Sequence, residues 1–363
     1  MITQRPTIMN PYCEENFQHQ FSVVTYNILA DCNITPKRDY LYPLCTDQEL
    51  YRTESQASIR NRLFRKEMTF LDGDICLLQE VDGFYAPIID LFQKKLGYTS
   101  EYYEKSLGCR EGLMISYRDT LFQNLETIPV DIHREIVIRA PSNIEASFLD
   151  SFHQPTNALI LVLKHKPTQK VIIVCSTHIL WDTLRSPDIQ TLQACVLAQK
   201  IEEVQQKYGK VGEVGIIYAG DFNGENNHPC VQVTKNKGPI SDELFSYLLK
   251  LRYIFEDRKA IPCFDCEDSE IALKFREMLF HNLDIRSSYE EVLGAESKYT
   301  TSDDESALSL DYIFHSPDLG VISVLVVDEH TCSEYYKNAP TEYFSSDHLP
   351  LKATFGINGI EEC

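Results

Sequence analysis

The chain has 363 residues, of which 43% are hydrophobic and 24% charged, a balance typical of a globular protein with a sizeable core. Its formal net charge of −20 at pH 7 argues against non-specific attachment to a polyanion, which depends on Lys and Arg. A contact with nucleic acid would therefore have to be local, with acidic residues gathered around divalent cations.

Short apolar runs rich in Val, Ile, Tyr and Phe predict buried strands. In chain order they cover 21–29, 75–78, 113–117, 158–163, 171–177, 214–219, 312–314, 321–327 and 349–355. Apolar residues at helical spacing over 59–71 predict one helix, and Ser186-Pro187-Asp188 predicts the start of another that ends near Gly209. This order predicts an α/β fold of two packed mixed β-sheets flanked by helices, a four-layer α/β sandwich.

The domain organisation follows from the lack of any linker, repeat or low-complexity tract. We expect a single domain over 21–356, with an N-terminal extension at 1–20 and a C-terminal tail at 357–363. The stretch at about 242–298 is mainly helical and polar, so we expect it to be an insertion or cover.

Composition also bears on location. Twelve cysteines at irregular spacing, without a signal peptide, indicate a reduced intracellular protein. No apolar run approaches the roughly 18 residues of a membrane span. The first twenty residues make a poor transit peptide, so the cytoplasm is the expected compartment, with the mitochondrion and the nucleus as alternatives.

Polar side chains that could do chemistry lie at the ends of the predicted strands, where α/β sheets place their sites. They are Asn27, Glu80, His178, Asp221, Asn223, Asp311, Asp347 and His348. Carboxylate and amide oxygens are ligands that suit Mg²⁺, with Mn²⁺ as a possible substitute. Histidines beside them can contact phosphate or transfer protons. The sequence lacks a nucleophile elbow, a Walker loop and a GxGxxG motif, so the set favours attack by metal-activated water on a phosphoryl centre.

Each residue alone has a simpler interpretation. A single Asp or Asn after a strand is usually a cap or turn residue, and a single His is usually structural. Asp303-Asp304-Glu305 is interpreted as a solvated loop. The functional interpretation therefore depends on the ordered set as a whole.

Two zinc sites are the alternatives. His133 and Glu135, with the distant run from Pro262 to Cys266, formally contain the pieces of a zinc deaminase, although that chemistry needs them in one compact unit. His228, Cys230, Cys263 and Cys266 form a possible structural zinc site, against the simpler interpretation of ordinary buried or loop thiols.

The ordered motifs resemble those of the endonuclease/exonuclease/phosphatase superfamily. The motifs are Thr-Tyr-Asn-Ile-Leu-Ala-Asp (25–31), Leu-Gln-Glu-Val-Asp (78–82), Thr-His-Ile-Leu-Trp (177–181), Gly-Asp-Phe-Asn (220–223), Leu-Asp-Tyr-Ile-Phe (310–314) and Ser-Asp-His (346–348). Within the superfamily the chain is similar to the deadenylase branch, which includes carbon-catabolite-repressor-type deadenylases, nocturnin, angel proteins and 2-prime phosphodiesterase. It departs from the family pattern after Asn223, where it reads Gly-Glu-Asn-Asn-His-Pro.

The resemblance implies a metal site and a set of catalytic roles. Glu80 would be the principal Mg²⁺ ligand, with Asn27 and Asp347 nearby. Asp221 would orient and deprotonate the attacking water, or share a second metal with Asn223.

Three further roles concern the phosphate. His178, Asn223 and His348 would contact its non-bridging oxygens, and Asp311 would hold His348 in place.

The resemblance also implies a magnesium-dependent phosphodiesterase, most simply a 3-prime exoribonuclease that acts on single-stranded RNA ends. The alternatives are a phosphatase for RNA 2-prime,3-prime-cyclic phosphate ends or for a phosphorylated small molecule, and a degenerate member that only binds protein. We expect a monomer, and nothing indicates docking to a leucine-rich-repeat scaffold. Candidate substrate contacts, as base-stacking or backbone-binding side chains, are Trp181, Tyr117, Arg110 and Arg118.

Overall fold

A computed structural model gives the architecture of most of the chain. It describes residues 5–13, 17–34, 58–105, 110–150, 152–181, 186–253, 269–302, 307–327 and 339–358. None of the helices in this part of the chain combines the length and the hydropathy that crossing a bilayer requires.

The described strands and helices alternate irregularly along the chain. The strands are β1 (Thr7–Met9), β2 (His19–Asn27), β3 (Ile75–Asp82), β4 (Tyr98–Glu104), β5 (Glu111–Arg118), β6 (Phe122–Asp131), β7 (Asn157–His165), β8 (Val171–His178), β9 (Val214–Asp221), β10 (Gly238–Pro239), β11 (Phe280–His281), β12 (Arg286–Ser287), β13 (Thr301–Ser302), β14 (Ala307–Leu308), β15 (Asp311–His315), β16 (Gly320–Leu325) and β17 (Leu351–Ile357). The helices are α1 (Ile59–Leu71), α2 (Ala86–Lys95), α3 (Ile132–Arg139), α4 (Ala146–Asp150), α5 (Pro187–Tyr208), α6 (Pro229–Lys235), α7 (Asp242–Tyr253), α8 (Glu270–Met278) and α9 (Ser288–Leu293).

Two mixed sheets form the centre of the protein, as the sequence predicts. The seven-stranded first sheet has the order β1-β16-β17-β2-β3-β5-β4, and the six-stranded second sheet has the order β12-β15-β9-β8-β7-β6. Their facing sides bury a core of aliphatic and aromatic side chains, while α5 and its neighbours pack on the outer side of the second sheet. The α/β sandwich prediction is confirmed.

All nine predicted apolar strands are present, and the predicted helices at 59–71 and after Ser186 are present as α1 and α5. The two longest strands that sequence patterning missed, β4 and β6, are each the edge of a sheet. Their burial is mostly partial, so their sequences lack the continuous apolar run of a central strand. The missed strands are therefore those that face solvent.

The predicted N-terminal extension and the predicted insertion each contribute an edge strand to a sheet. Within 1–20, β1 pairs with β16, and the Arg5 guanidinium donates to the carbonyl oxygens of Leu325, Val326 and Pro350. Within 242–298, β12 pairs with β15 at the edge of the second sheet.

A polar contact joins the two sheets inside the otherwise apolar interface. Gln79 of β3 donates through Nε2 to Ser176 Oγ of β8 at 3.1 Å and accepts from Thr25 Oγ1 of β2 at 3.3 Å. All three side chains are fully buried. Each lies one or two residues before the polar end of its strand, so the contact fixes the sheets to each other directly behind the site.

Candidate active site

The second sheet aligns three of the predicted catalytic residues by strand register. In parallel β8 and β9, His178 lies opposite Asp221, and in antiparallel β9 and β15, Asp221 lies opposite Asp311. Gly220 permits this pairing, because its φ is +146° and an added Cβ would lie 2.0 Å from the Thr177 carbonyl oxygen. The backbone ladder alone therefore brings these three side chains together.

The first sheet places Asn27 and Glu80 at the facing edge. Asn27 Nδ2 donates to Glu80 Oε1 and to Asp221 Oδ2, both at 3.0 Å, and so links the two sheets' contributions. Glu80 has a φ of +54° at an irregularity in the β3–β5 ladder, which turns its side chain toward the site. Its Oε2 accepts from the Ala30 N–H at 3.1 Å and from Asn33 Nδ2 at 2.5 Å.

The loop before β17 supplies His348. Its Nδ1 lies 2.8 Å from Asp311 Oδ2, and its Nε2 lies 3.7 Å from Asp221 Oδ2. His178 Nε2 lies 3.7 Å from the same Asp221 oxygen and 3.9 Å from Glu80 Oε1. Two imidazoles thus flank one buried carboxylate.

Asp347 and Asn223 lie beside this group. Ser346 Oγ donates to the Asn27 carbonyl at 2.7 Å and lies 3.3 Å from Asp347 Oδ1. Asn223 has a φ of +48°, donates its backbone N–H to Asp221 Oδ1 at 2.8 Å and donates Nδ2 to the Ile179 carbonyl at 2.9 Å. Both predicted residues are therefore brought to the site.

Two buried polar side chains on α1 hold the loop after β2 and the loop that leads to His348. The Arg60 guanidinium donates to the carbonyl oxygens of Ile28 and Leu29 after β2, to Ser345 O at 2.8 Å and to Asp31 Oδ1 at 2.9 Å.

Glu67 lies seven residues further along the same helix. It accepts from the Ser345 N–H at 3.2 Å, from the Ser345 hydroxyl and from Tyr26 Oη at 2.9 Å. The loop that leads to His348 is thus fixed on both sides of Ser345.

Burial and charge shift the pKa values of the site in opposite directions. Burial raises the pKa of Glu80, but the His178 charge and the hydrogen bonds from Asn27 and Asn33 outweigh it and lower the value to about 2. For Asp221, burial is the largest influence, and with the nearby Asp311 charge it raises the pKa despite both histidines.

The pKa of His348 is raised well above its usual range. Burial lowers it, and the charges of Asp311 and Asp221 more than compensate. At neutral pH the site therefore contains an ionised Glu80 and a protonated His348.

The donor set fits a hard divalent cation. Ligand atoms of Asp221, Asp311 and His348 lie within 4.8 Å of one another, and all three residues are buried. Asp311 Oδ1 is a buried carboxylate oxygen that accepts no hydrogen bond from the described residues. An orphaned carboxylate oxygen and several converging oxygens are what a cation such as Mg²⁺ requires.

The predicted substrate contacts divide into two pairs. Trp181, 71% exposed, follows His178 beyond the end of β8, and Arg110 precedes Glu111 at the site end of β5. Tyr117 and Arg118 are at the opposite end of β5, where Tyr117 pairs with Ile75 at the start of β3.

Those last two residues have structural roles instead. Tyr117 is buried between the sheets, and Arg118 forms salt bridges with Asp72 and Asp74 while it stacks over Tyr98 at 4.6 Å. The prediction that they contact substrate is corrected, because β5 runs antiparallel to β3 and carries them away from Glu80.

The zinc alternatives gain no described ligand cluster. His133 lies on α3 with its ring 4.4 Å from that of His153, and His228 Nδ1 lies 3.0 Å from Cys230 Sγ beside Gly224. The run from Pro262 to Cys266 lies outside the described residues.

Sequence reasoning missed the residues that support the ligands. Asn33, Arg60 and Glu67 contact the site or its loops but follow no strand end. Arg60 and Glu67 are polar residues on the inward face of an amphipathic helix, seven residues apart, and that pattern was the available signal.

Comparison with known proteins gives a consistent picture. The Endonuclease/Exonuclease/phosphatase family profile matches residues 24–348. Protein angel homolog 2 of Bos taurus is 25% identical over 96% of this chain and 72% of its own length. The CCR4-Not complex 3'-5'-exoribonuclease subunit Ccr4 of Kluyveromyces lactis is 22% identical over 94% of this chain but only 42% of its own length. The crystal structure of ANGEL2, a 2',3'-cyclic phosphatase, with adenosine-2',3'-vanadate superposes with a TM-score of 0.70 at 25% identity, covering 98% of this chain and 99% of that one.

Proposed function

We propose that this chain, which belongs to the endonuclease/exonuclease/phosphatase family, is a Mg²⁺-dependent 3-prime exoribonuclease acting on single-stranded RNA ends. The observation that carries this proposal is the position of Asp221. Its buried carboxylate is hydrogen-bonded to Asn27 and lies between the imidazoles of His178 and His348. Phosphoryl transfer depends on such positioning and charge neutralisation.

Asp221 is the proton acceptor in this proposal. A carboxylate whose pKa is raised by burial is a stronger base than one in water, which suits the removal of a proton from an attacking water. Its Oδ1 is fixed by the Asn223 N–H and its Oδ2 by Asn27, so the acceptor is held in one orientation.

The histidines bind the phosphate. His348 is kept protonated by Asp311, so its Nε2–H can donate to a non-bridging oxygen as negative charge develops there. His178 occupies the other side of Asp221 and can hold a second oxygen. Asp311 acts through His348, as a positioning residue.

Glu80 and Asn27, with Asp347, Asp221 and Asn223 nearby, would hold the cation. When bound, Mg²⁺ supplies positive charge to the phosphate oxygens and lowers the pKa of water. Glu80 is suited to this role because it is ionised far below neutral pH.

The proposed reaction is the hydrolysis of the last phosphodiester bond of the RNA. A bond forms between the water oxygen and phosphorus while one water proton passes to Asp221, and the bond between phosphorus and O3-prime breaks. The shortened RNA keeps a 3-prime hydroxyl after protonation from solvent, and the released nucleotide carries a 5-prime phosphate.

A second candidate is the hydrolysis of RNA 2-prime,3-prime-cyclic phosphate ends. The similarity to ANGEL2 over nearly the full length of both chains favours it. The same residues could serve both reactions, because function depends on the substrate pocket and not on the fold.

One incubation series separates the two candidates. Purified protein receives poly(A), mixed-sequence RNA, 2-prime–5-prime oligoadenylate and RNA with a cyclic phosphate end, each with Mg²⁺ or with EDTA. The exoribonuclease shortens RNA and releases nucleoside 5-prime monophosphate, whereas the phosphatase opens or removes the terminal phosphate at unchanged length. Glu80→Ala should abolish turnover without loss of fold, and normal activity in that variant would refute the assignment.

A further inference from the structure

An exposed aromatic ring lies in the turn that follows β3, the strand of Glu80. The Phe84 side chain is 64% exposed, although single exposed apolar side chains are common on protein surfaces. What distinguishes Phe84 is how firmly its turn is held. Its backbone N–H donates to Asp82 Oδ1 at 3.0 Å, and the neighbouring Gly83 N–H donates to the Arg110 carbonyl at 2.6 Å.

The Arg110 side chain returns to the same turn. Its guanidinium carbon lies 4.5 Å from the centre of the Phe84 ring, and its Nη2 lies 3.2 Å from Asp82 Oδ2. Asp82 is buried, so the carboxylate anchors both the ring's backbone and the guanidinium. Asp82, Phe84 and Arg110 form one pre-organised unit, here called the Phe84 platform.

The Phe84 platform begins at Asp82, two residues after Glu80 on β3. Asp82 pairs in register with Glu111 on β5, and Glu111 Oε2 accepts from Asn33 Nδ2 at 2.9 Å. The same Asn33 nitrogen donates to Glu80 Oε2 at 2.5 Å. A single amide nitrogen therefore bridges the carboxylates of Glu80 and Glu111, the partner of Asp82 in the strand ladder.

The chemistry of the Phe84 platform matches a nucleobase. Aromatic rings and guanidinium planes both stack on bases without regard to sequence. In a chain of net charge −20, a polyanion needs local cationic groups near the site, and Arg110 is one at this edge. A ring with most of its surface exposed, backed by a fixed guanidinium, offers that combination.

We propose that the Phe84 platform is a nucleobase-binding subsite, where one base of the RNA 3-prime end stacks on the Phe84 ring, which Arg110 backs, while the scissile phosphate lies at Asp221. This rests on the proposed function and extends it to a named substrate-binding contact. Stacking of this kind raises affinity for any base and depends little on its identity.

The test pairs a protein variant with a substrate variant. Phe84→Ala and wild type are compared on a decamer RNA and on decamers that are abasic at each of the last four positions in turn. Phe84→Ala should raise KM about tenfold on intact RNA, the scale of one base–aromatic stack. An RNA abasic at the stacked position should raise the wild-type KM equally and add nothing in Phe84→Ala.

Two further variants complete the design. Leu91→Ala removes another exposed side chain, 54% exposed on α2, and should match wild type, while Phe84→Tyr should restore most of the affinity. Fluorescence anisotropy with the same RNAs in EDTA measures binding without cleavage.

The outcomes separate the two hypotheses. Normal cleavage with equal KM values in wild type and Phe84→Ala overturns the platform and leaves the proposed function intact. Binding that requires Phe84, without any RNA hydrolysis, supports the platform and overturns the function. An effect of Phe84→Ala that simply adds to every abasic position also overturns the platform.

Discussion

The two halves of the active site are held by different kinds of contact. In the second sheet, His178, Asp221 and Asp311 are neighbours in a continuous backbone ladder. In the other half, which the first sheet and the loop before β17 supply, Glu80 lies at a ladder irregularity and His348 lies in a loop. Both depend on side-chain hydrogen bonds to reach their positions.

The difference shows where precision comes from in each half. A ladder fixes side-chain positions through many backbone hydrogen bonds, so no single side chain is decisive. A loop fixed by Arg60 and Glu67 depends on a few buried polar contacts, and the loss of one partner leaves the others unsatisfied.

The largest effect is expected where the halves meet. Asp221→Asn removes the proton acceptor but keeps the side-chain shape, so kcat should fall by about 10³-fold, within the range of general base catalysis. The unfolding temperature should not fall, because a buried carboxylate whose pKa is raised is replaced by a neutral amide. Single-turnover assays and calorimetry measure both quantities. Activity within tenfold of wild type would contradict the role of Asp221.

In the part of the site held by loops, Arg60→Met should destabilise the protein by about 3–5 kcal/mol, because it removes the buried guanidinium that pairs with Asp31 and donates to the Ile28, Leu29 and Ser345 carbonyls. Urea unfolding measures this loss. At a temperature where the variant remains folded, kcat should still be reduced, since the His348 loop is then held only from the Glu67 side of Ser345. Wild-type kcat in the folded variant would show that Arg60 only stabilises.

The matching substitution in the second sheet, for comparison with Arg60→Met, is Gly220→Ala. The new Cβ meets the Thr177 carbonyl in a backbone conformation that favours glycine, so we expect a loss of about 1–3 kcal/mol. Because the ladder must separate locally to relieve the contact, activity and stability should fall together. Lost stability with unchanged kcat would show that the ladder adjusts without moving Asp221.

Metal binding tests the support of Glu80. Asn33→Ala removes the amide that orients the Glu80 carboxylate, so the Mg²⁺ concentration for half-maximal activity should rise about tenfold, as for other contacts behind a metal ligand. Titration of activity with Mg²⁺ gives the value, and saturating Mg²⁺ should restore most of kcat. An unchanged Mg²⁺ requirement would remove Asn33 from the metal site.

The smallest effect concerns pH. Burial raises the pKa of Glu67 despite its hydrogen bonds with Ser345 and Tyr26. Wild-type stability should therefore fall as the pH rises from the ordinary carboxyl pKa of about 4.3 toward the raised folded value, because only the unfolded chain ionises there.

Glu67→Gln should lack this slope, since its amide can keep the same partners with the hydroxyl protons turned round. Unfolding free energies between pH 4 and 8 provide the comparison. Parallel pH profiles would show that Glu67 is ionised in the folded protein.

Strand ends were predictable because apolar runs mark strands and polar residues after them mark the site. Asn27, Glu80, His178 and Asp221 were identified in that way, whereas Asn33, Arg60 and Glu67 were not. Their contacts join residues far apart in the chain, Arg60 with Ser345 for example, and no local pattern encodes such a contact.

Strand direction was the second limit. Arg110 and Arg118 lie at opposite ends of β5, and only the antiparallel pairing with β3 reveals which end faces Glu80. Sequence patterning identifies a strand but not its direction relative to its neighbours.

The buried Gln79 contact also affects the slow opening motions of the protein. Two stacked sheets can slide over an apolar interface. The hydrogen bond between Gln79 and Ser176 resists that sliding most strongly at its own position. Because this hydrogen bond is next to the catalytic edge, slow opening motions should begin at the opposite end of the second sheet, near Val171 and Val214, where β8 and β9 start. Amide hydrogens there should exchange with deuterium before those around Asp221, so the catalytic groups stay aligned while the rest of the sandwich fluctuates.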